Sequence, residues 1–579
     1  MSVNNIKEAP IFTEKTKCRD CYKCVRNCPV KAIKVEDNSA RIIHENCIYC
    51  GRCVYSCPAE AKKVRNDVGE VKAALASEKK VILSMAPTWS SGLFGSLDEL
   101  IGTFKNLGFN GVSETALGAQ MVSGEVANDL VSTTDLTVSS ACPSVVELFK
   151  KYYPRYMDSL SSYRSPLGVH AAWLKEIYGD DTVIVFAGPC IAKKLEADSD
   201  DSAVDYALTF DEITKWLEED KHEKNLKENE FDSFIPFSAA QSTLYALEGG
   251  MIESVKEYIS EDSTPMIPIS GVTHIIDAMT EINCEDNIFL ELLSCPGGCV
   301  NGSGCNSREK QFSFRKKSQQ YYNFVNSSEE KHHDSPKLDR DKMLLGYGSE
   351  DLVFSEHYSD EQIQRAMVEL GKENKEELLN CGGCGYNSCN DFAIAYLRGM
   401  GEKQMCVTTM RKRAQKKVDM ILKTLPMGVV IVNSQMNIVE YNCEFVKLIS
   451  EIDFEPDVDF IQNFIDLPIN RYIDITSQLN VILSAEKSLF QERIKYKNQF
   501  LRVSFFSIEK QNLAGVIFQD ITSTSMKREI VIKKAEEVIN KNLQNVQQIA
   551  SLLGENAAET EIILRSLTDP FQFTTPEVD

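Results

Sequence analysis

Between residues 76 and 308 short apolar runs alternate with stretches whose apolar positions recur every three or four residues. This is the pattern of strands interleaved with amphipathic helices, and it predicts an α/β domain. Four strands stand out: Val81 to Met85, Asp135 to Val138, Thr182 to Phe186 and Phe289 to Leu293. Each ends in a loop rich in Pro, Ser or Gly, and loops at carboxyl strand ends converge on one crevice. A second patterned region, 416–523, reads as strand, turn, strand over Leu425 to Asn433 and Asn437 to Asn442, with a helix opening at Cys443. Further strands are predicted at Glu492 to Tyr496, Phe500 to Ser507 and Ala514 to Gln519. In the tail, 524–568, Ile532, Ala535, Ile539, Leu543, Val546, Ile549 and Leu553 follow steps of three and four. That stripe suits a dimerising coiled coil or a helix packed on the preceding domain. Residues 309–372 are a linker with helical connection, polar and charged to about 345, including Lys331, His332, His333, Asp334, Ser335 and Pro336.

The 579 residues exceed one hydrophobic core and predict about four domains. With 63 basic against 85 acidic residues the net charge is −22, which repels nucleic-acid backbones and anionic membrane surfaces. No apolar run has the length of a spanning helix and the start, MSVNNIKEAP, lacks a signal pattern, so the expected location is cytoplasmic. In a reducing compartment nineteen cysteines point to metal rather than disulfides.

Eight of them form two copies of one pattern within 1–72: Cys18, Cys21, Cys24, Cys28-Pro29 and Cys47, Cys50, Cys53, Cys57-Pro58. Such a run gives three thiolates to one cubane and the fourth to the other cluster, so Cys57 is expected to complete the first set and Cys28 the second. A pair of zinc knuckles leaves the trailing Cys-Pro unexplained. The segment resembles bacterial two-cluster 4Fe-4S ferredoxins, which implies low-potential electron transfer.

Within 76–308 the loops after the strands carry Ser139-Ser140-Ala141-Cys142-Pro143, Gly188-Pro189-Cys190 and Cys295-Pro-Gly-Gly-Cys299. Spacing alone leaves open whether these four cysteines are ligands or buried structural thiols. Over 80–305 the segments resemble the three signature motifs of iron-iron hydrogenases. The resemblance implies that Cys142, Cys190, Cys295 and Cys299 hold the cubane of the active-site cluster, with Cys299 bridging to a two-iron unit bearing carbonyl and cyanide. It places Lys193 against one cyanide and Pro87 and Thr88 near the other, and lets Glu196 position a neighbouring loop. A buried ammonium beside an anionic ligand is a sensible pairing, since either charge alone is costly to desolvate. The departures matter too. Ala141 stands where the family has the thiol that relays protons, and Gly188 and Leu293 replace two methionines that pack on the two-iron unit. Without a relay, turnover should fall by orders of magnitude while binding of dihydrogen survives. Glu125 or Asp129 is the alternative relay.

In 373–412, Cys381, Cys384, Cys389 and Cys406 are four thiols for another cubane or, alternatively, zinc. Gly382, Gly383 and Gly385 let the backbone wrap tightly there, and a helix from Asp391 to Gly399 follows. The segment resembles small cluster domains of corrinoid and electron-transfer proteins. Region 416–523 resembles a PAS domain, an α+β sensor fold that implies dimerisation and an internal ligand of unidentified kind. Cys443 reads as a packed thiol; with Cys284 and Cys305 it is left over from the cluster sets. The chain is thus multidomain α/β: a ferredoxin-like two-cluster domain, an α/β hydrogenase domain, a small iron-sulfur domain, a PAS domain and a C-terminal helix. The reading is a sensory hydrogenase of low activity, with dihydrogen or a redox partner such as ferredoxin, hydrogenase maturation proteins and a downstream signalling protein as partners. The alternatives are a fully active hydrogenase and an electron relay or scaffold without the two-iron unit.

Overall fold

The computed structural model describes residues 8–91, 94–220, 232–239, 242–259, 264–305, 311–327, 336–348, 352–353, 356–450, 464–484, 489–497, 499–521, 534–535, 537–539 and 541. The stripe from Ile532 to Leu553, apart from Ala535 and Ile539, lies outside the described residues, as do Lys331 to Ser335. The chain divides after Lys403 into two compact units.

In the first unit the duplicated cysteine pattern folds as a duplicated element. Helices Lys23–Asn27 and Arg52–Ser56 each start from left-handed backbone, at Tyr22 (φ 56°) and Gly51 (φ 73°). Ile11–Thr13 pairs with Lys62–Val64, and Ile33–Glu36 with Ser39–Ile42, both antiparallel. The region that follows builds two parallel sheets. One has the order Gly111–Glu114, Val81–Met85, Val183–Gly188, Tyr206–Thr209; the other Met266–Ser270, Phe289–Leu293, Thr137–Val138. Val81–Met85, Val183–Gly188 and Phe289–Leu293 are buried at every position, the consequence of covering both sheet faces, so they read as largely apolar runs, interrupted only at Ser84 and Glu291. The strand expected from Thr182 begins one residue later, because Thr182 N–H donates to Gly179 O (3.0 Å) and closes a turn.

A buried ion network fixes the N-terminal domain to these sheets. Lys194, fully buried, donates to Asp67 and Glu212 (both 2.9 Å) and to Ala207 O (2.8 Å). Arg65 bridges Asp67 and Asp198 at 2.6 Å each. Such a network is stable only when complete, since one missing partner leaves an uncompensated buried charge.

The stretch expected to be a linker with helical connection contains the helix Gln311–Ser327, which packs on its neighbours rather than standing apart as a surface excursion. Phe314 and Val325 are buried, the Tyr321 ring meets Trp89 edge-on (centroids 4.8 Å), and Tyr321 OH donates to Glu114 Oε1 at 2.9 Å. Glu114 is fully buried and also accepts from Ala239 N (2.7 Å); burial lifts its carboxyl to about 7. Polar composition misled here because one narrow apolar stripe suffices to seat a helix.

The second unit holds a five-stranded antiparallel sheet in the order Ile438–Tyr441, Gly428–Asn433, Leu513–Asp520, Gln499–Glu509, Leu489–Tyr496. Helices Cys443–Ser450 and Thr476–Leu483 contribute Phe445, Val446, Leu479 and Ile482 to a core shared with Val430, Val503 and Phe518. Asn442 ties the start together: Oδ1 accepts from Val429 N (2.8 Å) and Phe445 N (3.0 Å), and Nδ2 donates to Met427 O (2.7 Å). Among the described residues no helix is long and apolar enough to cross a membrane.

Candidate active site and metal centres

The structure sorts the first eight cysteines into two sets that exchange their last members. The thiols that act on Cys24 are Cys21, Cys18 and Cys57; those that act on Cys53 are Cys50, Cys28 and Cys47. Burial pushes Cys24 and Cys47 up to about 11 and Cys50 to about 12, so four thiolates could share such a place only with positive charge between them. The second set lines an enclosed cavity whose walls include Ile33 and Ile48. Backbone N–H groups face the sulfurs, from Ala32 to Cys28, Tyr49 to Cys47 and Ala61 to Cys57, each at 3.3 Å. Among the described residues no three His, Cys, Asp or Glu side chains stand close enough together for a single metal ion. Buried thiols met by backbone N–H donors fit a cubane.

The cysteines of the two parallel sheets meet in the same way. Cys142 opens helix Pro143–Tyr152 after strand Thr137–Val138, with Pro143 at the first helical position. Cys190 follows Val183–Gly188, and Cys295 and Cys299 follow Phe289–Leu293. Cys299 is acted on by Cys142 and Cys190, and Cys295 by Cys299, Cys190 and Cys142; burial raises the thiols of Cys190, Cys295 and Cys299. The crevice is thus formed by two sheets, one supplying Cys190 and the other the remaining three thiols. Cys50 also acts on Cys295, and both line a cavity of about 190 Å³. There the buried Ser294 Oγ has no partner among the described residues. Gly51, the residue after Cys50, packs so closely that a Cβ on it would lie 2.0 Å from Ser303 Oγ and 2.8 Å from Ile191 Cδ1.

Around this locus Lys193 is buried, and its Nζ donates to Ser165 Oγ (2.6 Å) and to the Glu196 carboxylate. Ser165 also donates to Glu196 and caps helix Pro166–Tyr178. Glu196 therefore holds the 160s loop as well as balancing the ammonium. Ser165 is a member of the site that the motifs did not reveal; its sequence signal is a Ser-Pro pair at a helix start. Pro87 and Thr88 lie in the short helix Pro87–Ser91 beyond Val81–Met85, with Thr88 buried. Leu293 is buried at the end of its strand. A Cβ on Gly188 would meet the ring of Phe186 at 2.3 Å.

Ala141 is half-buried and offers no proton-carrying group, with its N–H donating to Ser139 Oγ (3.3 Å). The next hydroxyl, Ser140 Oγ, is spent on Tyr163 O at 2.7 Å. Glu125 and Asp129, the alternative relay, are both drawn to the half-exposed Arg340 (3.4 and 2.5 Å), and Asp129 accepts from Tyr163 OH (2.7 Å). These carboxylates are committed to a surface ion cluster.

Farther along, Cys389 opens helix Cys389–Leu397 under a capping box of Ser388 and Asp391, so this helix starts two residues earlier than expected. Cys381 is exposed and Cys384 half-buried beside it in the Gly-rich loop. Cys406 caps helix Val407–Thr424 of the second unit, in which Cys443 is half-buried in helix Cys443–Ser450.

Comparison with known proteins agrees with this geometry. A family model described as "Iron only hydrogenase large subunit, C-terminal domain" matches residues 79–303. A "4Fe-4S dicluster domain" model matches 10–58, and a third model, FeS, matches 379–408. Iron hydrogenase 1 of Clostridium pasteurianum is 27% identical over 369 residues, 51% of this chain and 64% of its own. NADP-reducing hydrogenase subunit HndD of Solidesulfovibrio fructosivorans is 25% identical over 355 residues, 50% and 56%. The periplasmic Fe hydrogenase large subunit of Nitratidesulfovibrio vulgaris is 27% identical over 358 residues, 50% and 85%. The chain spans less than two thirds of the length of the first two. Residues 79–303 are thus similar to the C-terminal domain of the iron-only hydrogenase large subunit, and residues 10–58, on their N-terminal side, to a 4Fe-4S dicluster domain.

Proposed function

We propose that this protein is a sensory hydrogenase of low turnover, located in the cytoplasm. The observation that carries the reading is the meeting of Cys142, Cys190, Cys295 and Cys299 beside Cys50, at a place where the residue before Cys142 is an alanine. When bound, a cubane on those four thiols with a two-iron carbonyl-cyanide unit at Cys299 supplies interconversion of dihydrogen with two protons and two electrons. Lys193 presents its ammonium toward that unit while Glu196 and Ser165 hold it in place. Pro87 and Thr88 close the opposite side. The close packing of Gly51 on Ser303 and Ile191 holds Cys50 against the crevice, and electrons enter or leave between Cys50 and Cys295.

The Ala141 position and the commitment of Glu125 and Asp129 to Arg340 support slow proton delivery, which suits detection better than bulk catalysis. The five-stranded antiparallel sheet of the second unit supports a PAS-type module that receives the signal, with an unidentified ligand and a homodimeric state. Maturation proteins must install the two-iron unit, a ferredoxin-type partner exchanges electrons, and a signalling protein reads the output. Infrared spectroscopy of anaerobically matured protein tests this. Iron-bound carbonyl and cyanide bands with slow dihydrogen turnover are expected. Bands with fast turnover would make the protein a working hydrogenase, and their absence would leave an electron relay or scaffold.

A further inference from the structure

Lys31 lies three residues after Cys28, in left-handed backbone (φ 51°), and this turn sends its side chain back over the end of helix Lys23–Asn27. Its ammonium donates to Val25 O (3.2 Å) and, across 354 residues of sequence, to Gly385 O at 2.8 Å. It also lies over the Tyr386 ring, 5.8 Å from the centroid. Arg26 repeats the contact by donating to Gly383 O (2.9 Å). Gly385 (φ +99°) sits so near that a Cβ on it would be 2.8 Å from Val25 Cγ1 and 3.2 Å from Arg26 N. Its lack of a side chain therefore serves a docked interface, beyond the tight wrapping that the sequence suggested. Two further bonds extend the seam, Val35 N to Met400 O and Asp37 N to Glu402 Oε1, both at 2.9 Å. The charges that act on Lys31 include Cys28 and Cys384, one from each cysteine set, and the same two act on Tyr386.

We infer that Lys31 is a charge bridge between two iron-sulfur sites, clamping the Cys384 loop onto the ferredoxin domain beside Cys28 so that electrons pass directly between those sites. The inference rests on the cluster assignments proposed above. One electron leaves the site at Cys384 and one is gained at the site that includes Cys28, or the reverse. No bond breaks and no proton moves. The set of Cys28, Cys47, Cys50 and Cys53 is then a junction, with Cys295 on one side and Cys384 on the other. A fixed positive charge close to both sites stabilises whichever is reduced, because reduction adds negative charge.

The test is a potentiometric electron paramagnetic resonance titration of full-length, anaerobically reconstituted protein without the two-iron unit. In Lys31→Met the reduction constants of both sites should fall about tenfold, roughly 60 mV for a one-electron couple. The signal of the Cys18 set should stay in place and shows that the domain is folded, and Lys31→Arg should recover at least half of the shift. Gly385→Val should weaken magnetic coupling between the two reduced sites at unchanged iron content. Unchanged potentials in Lys31→Met, or a shift at only one site, would overturn the inference. Cys389→Ser separates this from failure of the assignment: if it loses no iron, the site itself was misassigned.

Discussion

The ring of Phe186 occupies the space that a side chain at Gly188 would need: a Cβ there would lie 2.3 Å from Phe186 Cζ and 3.0 Å from Ala86 Cβ. The space beside Gly188 is thus filled from two residues upstream. Gly188→Met should destabilise the domain by about 1–3 kcal/mol through overpacking, read as a lower urea midpoint. Adding Phe186→Ala should recover most of that loss. A single variant as stable as the parent would show that the ring moves aside freely.

The exchanged cysteines give an orthogonal test. Since Cys57 acts on Cys24 and Cys28 on Cys53, Cys57→Ser should remove the signal of the first set and leave the second, and Cys28→Ser should do the opposite. Reconstituted parent protein should bind about sixteen irons, four for each of four cubanes. A distinctly lower number removes at least one assignment, and loss of the second set's signal in Cys57→Ser would refute the exchange.

Where spacing is local, the chain could be read directly. The double run of cysteines needs only a few residues on either side to shape its loops, and fully buried strands such as Val183–Gly188 announce themselves as apolar runs. What could not be read depends on partners distant in sequence. Nothing near Lys31 indicates that it will meet Gly385, and nothing in Gln311–Ser327 shows that Tyr321 will bond Glu114. Gly111–Glu114 and Tyr206–Thr209 escaped notice because they are four residues long and carry polar residues, and Met266–Ser270 because Pro268 interrupts it. The division into two sheets was hidden for the same reason, since pairing is settled by tertiary contacts.

Glu114 makes stability depend on pH in a definite direction. Its folded value, raised by burial from 4.5 to about 7, means that the folded chain keeps a proton the unfolded chain has already lost between those limits. Stability from this group is therefore present below pH 4.5 and declines as pH rises toward 7, by up to about 3 kcal/mol. Glu114→Gln, neutral throughout, should melt near the parent at about pH 5 and above it at about pH 8. Equal melting temperatures at both values would mean that Tyr321 and Ala239 stabilise the carboxylate enough to cancel its burial.

Ala141 decides between a detector and an engine. If protons are slow only because that position lacks a thiol, Ala141→Cys should raise dihydrogen evolution by about tenfold or more, the range for restoring one positioned acid-base group. The local structure can receive it: the residue is half-buried and its neighbours Ser139 and Ser140 are bonded to Met251 Sδ (3.0 Å) and Tyr163 O, so neither competes for the new thiol. Nearby, Tyr163 accepts from Ser140 at its carbonyl and donates to Asp129 from its hydroxyl, and Asp129 and Glu125 are held by Arg340. Arg340→Gln in the Ala141→Cys background should therefore add to the gain, while Arg340→Gln alone should change little. The measurement is evolution rate per two-iron unit, counted by infrared band area so that poor maturation is not mistaken for slow chemistry. A parent rate already near that of ordinary hydrogenases, indifferent to residue 141, would show that protons arrive along another path and that slow turnover was inferred from the wrong residue.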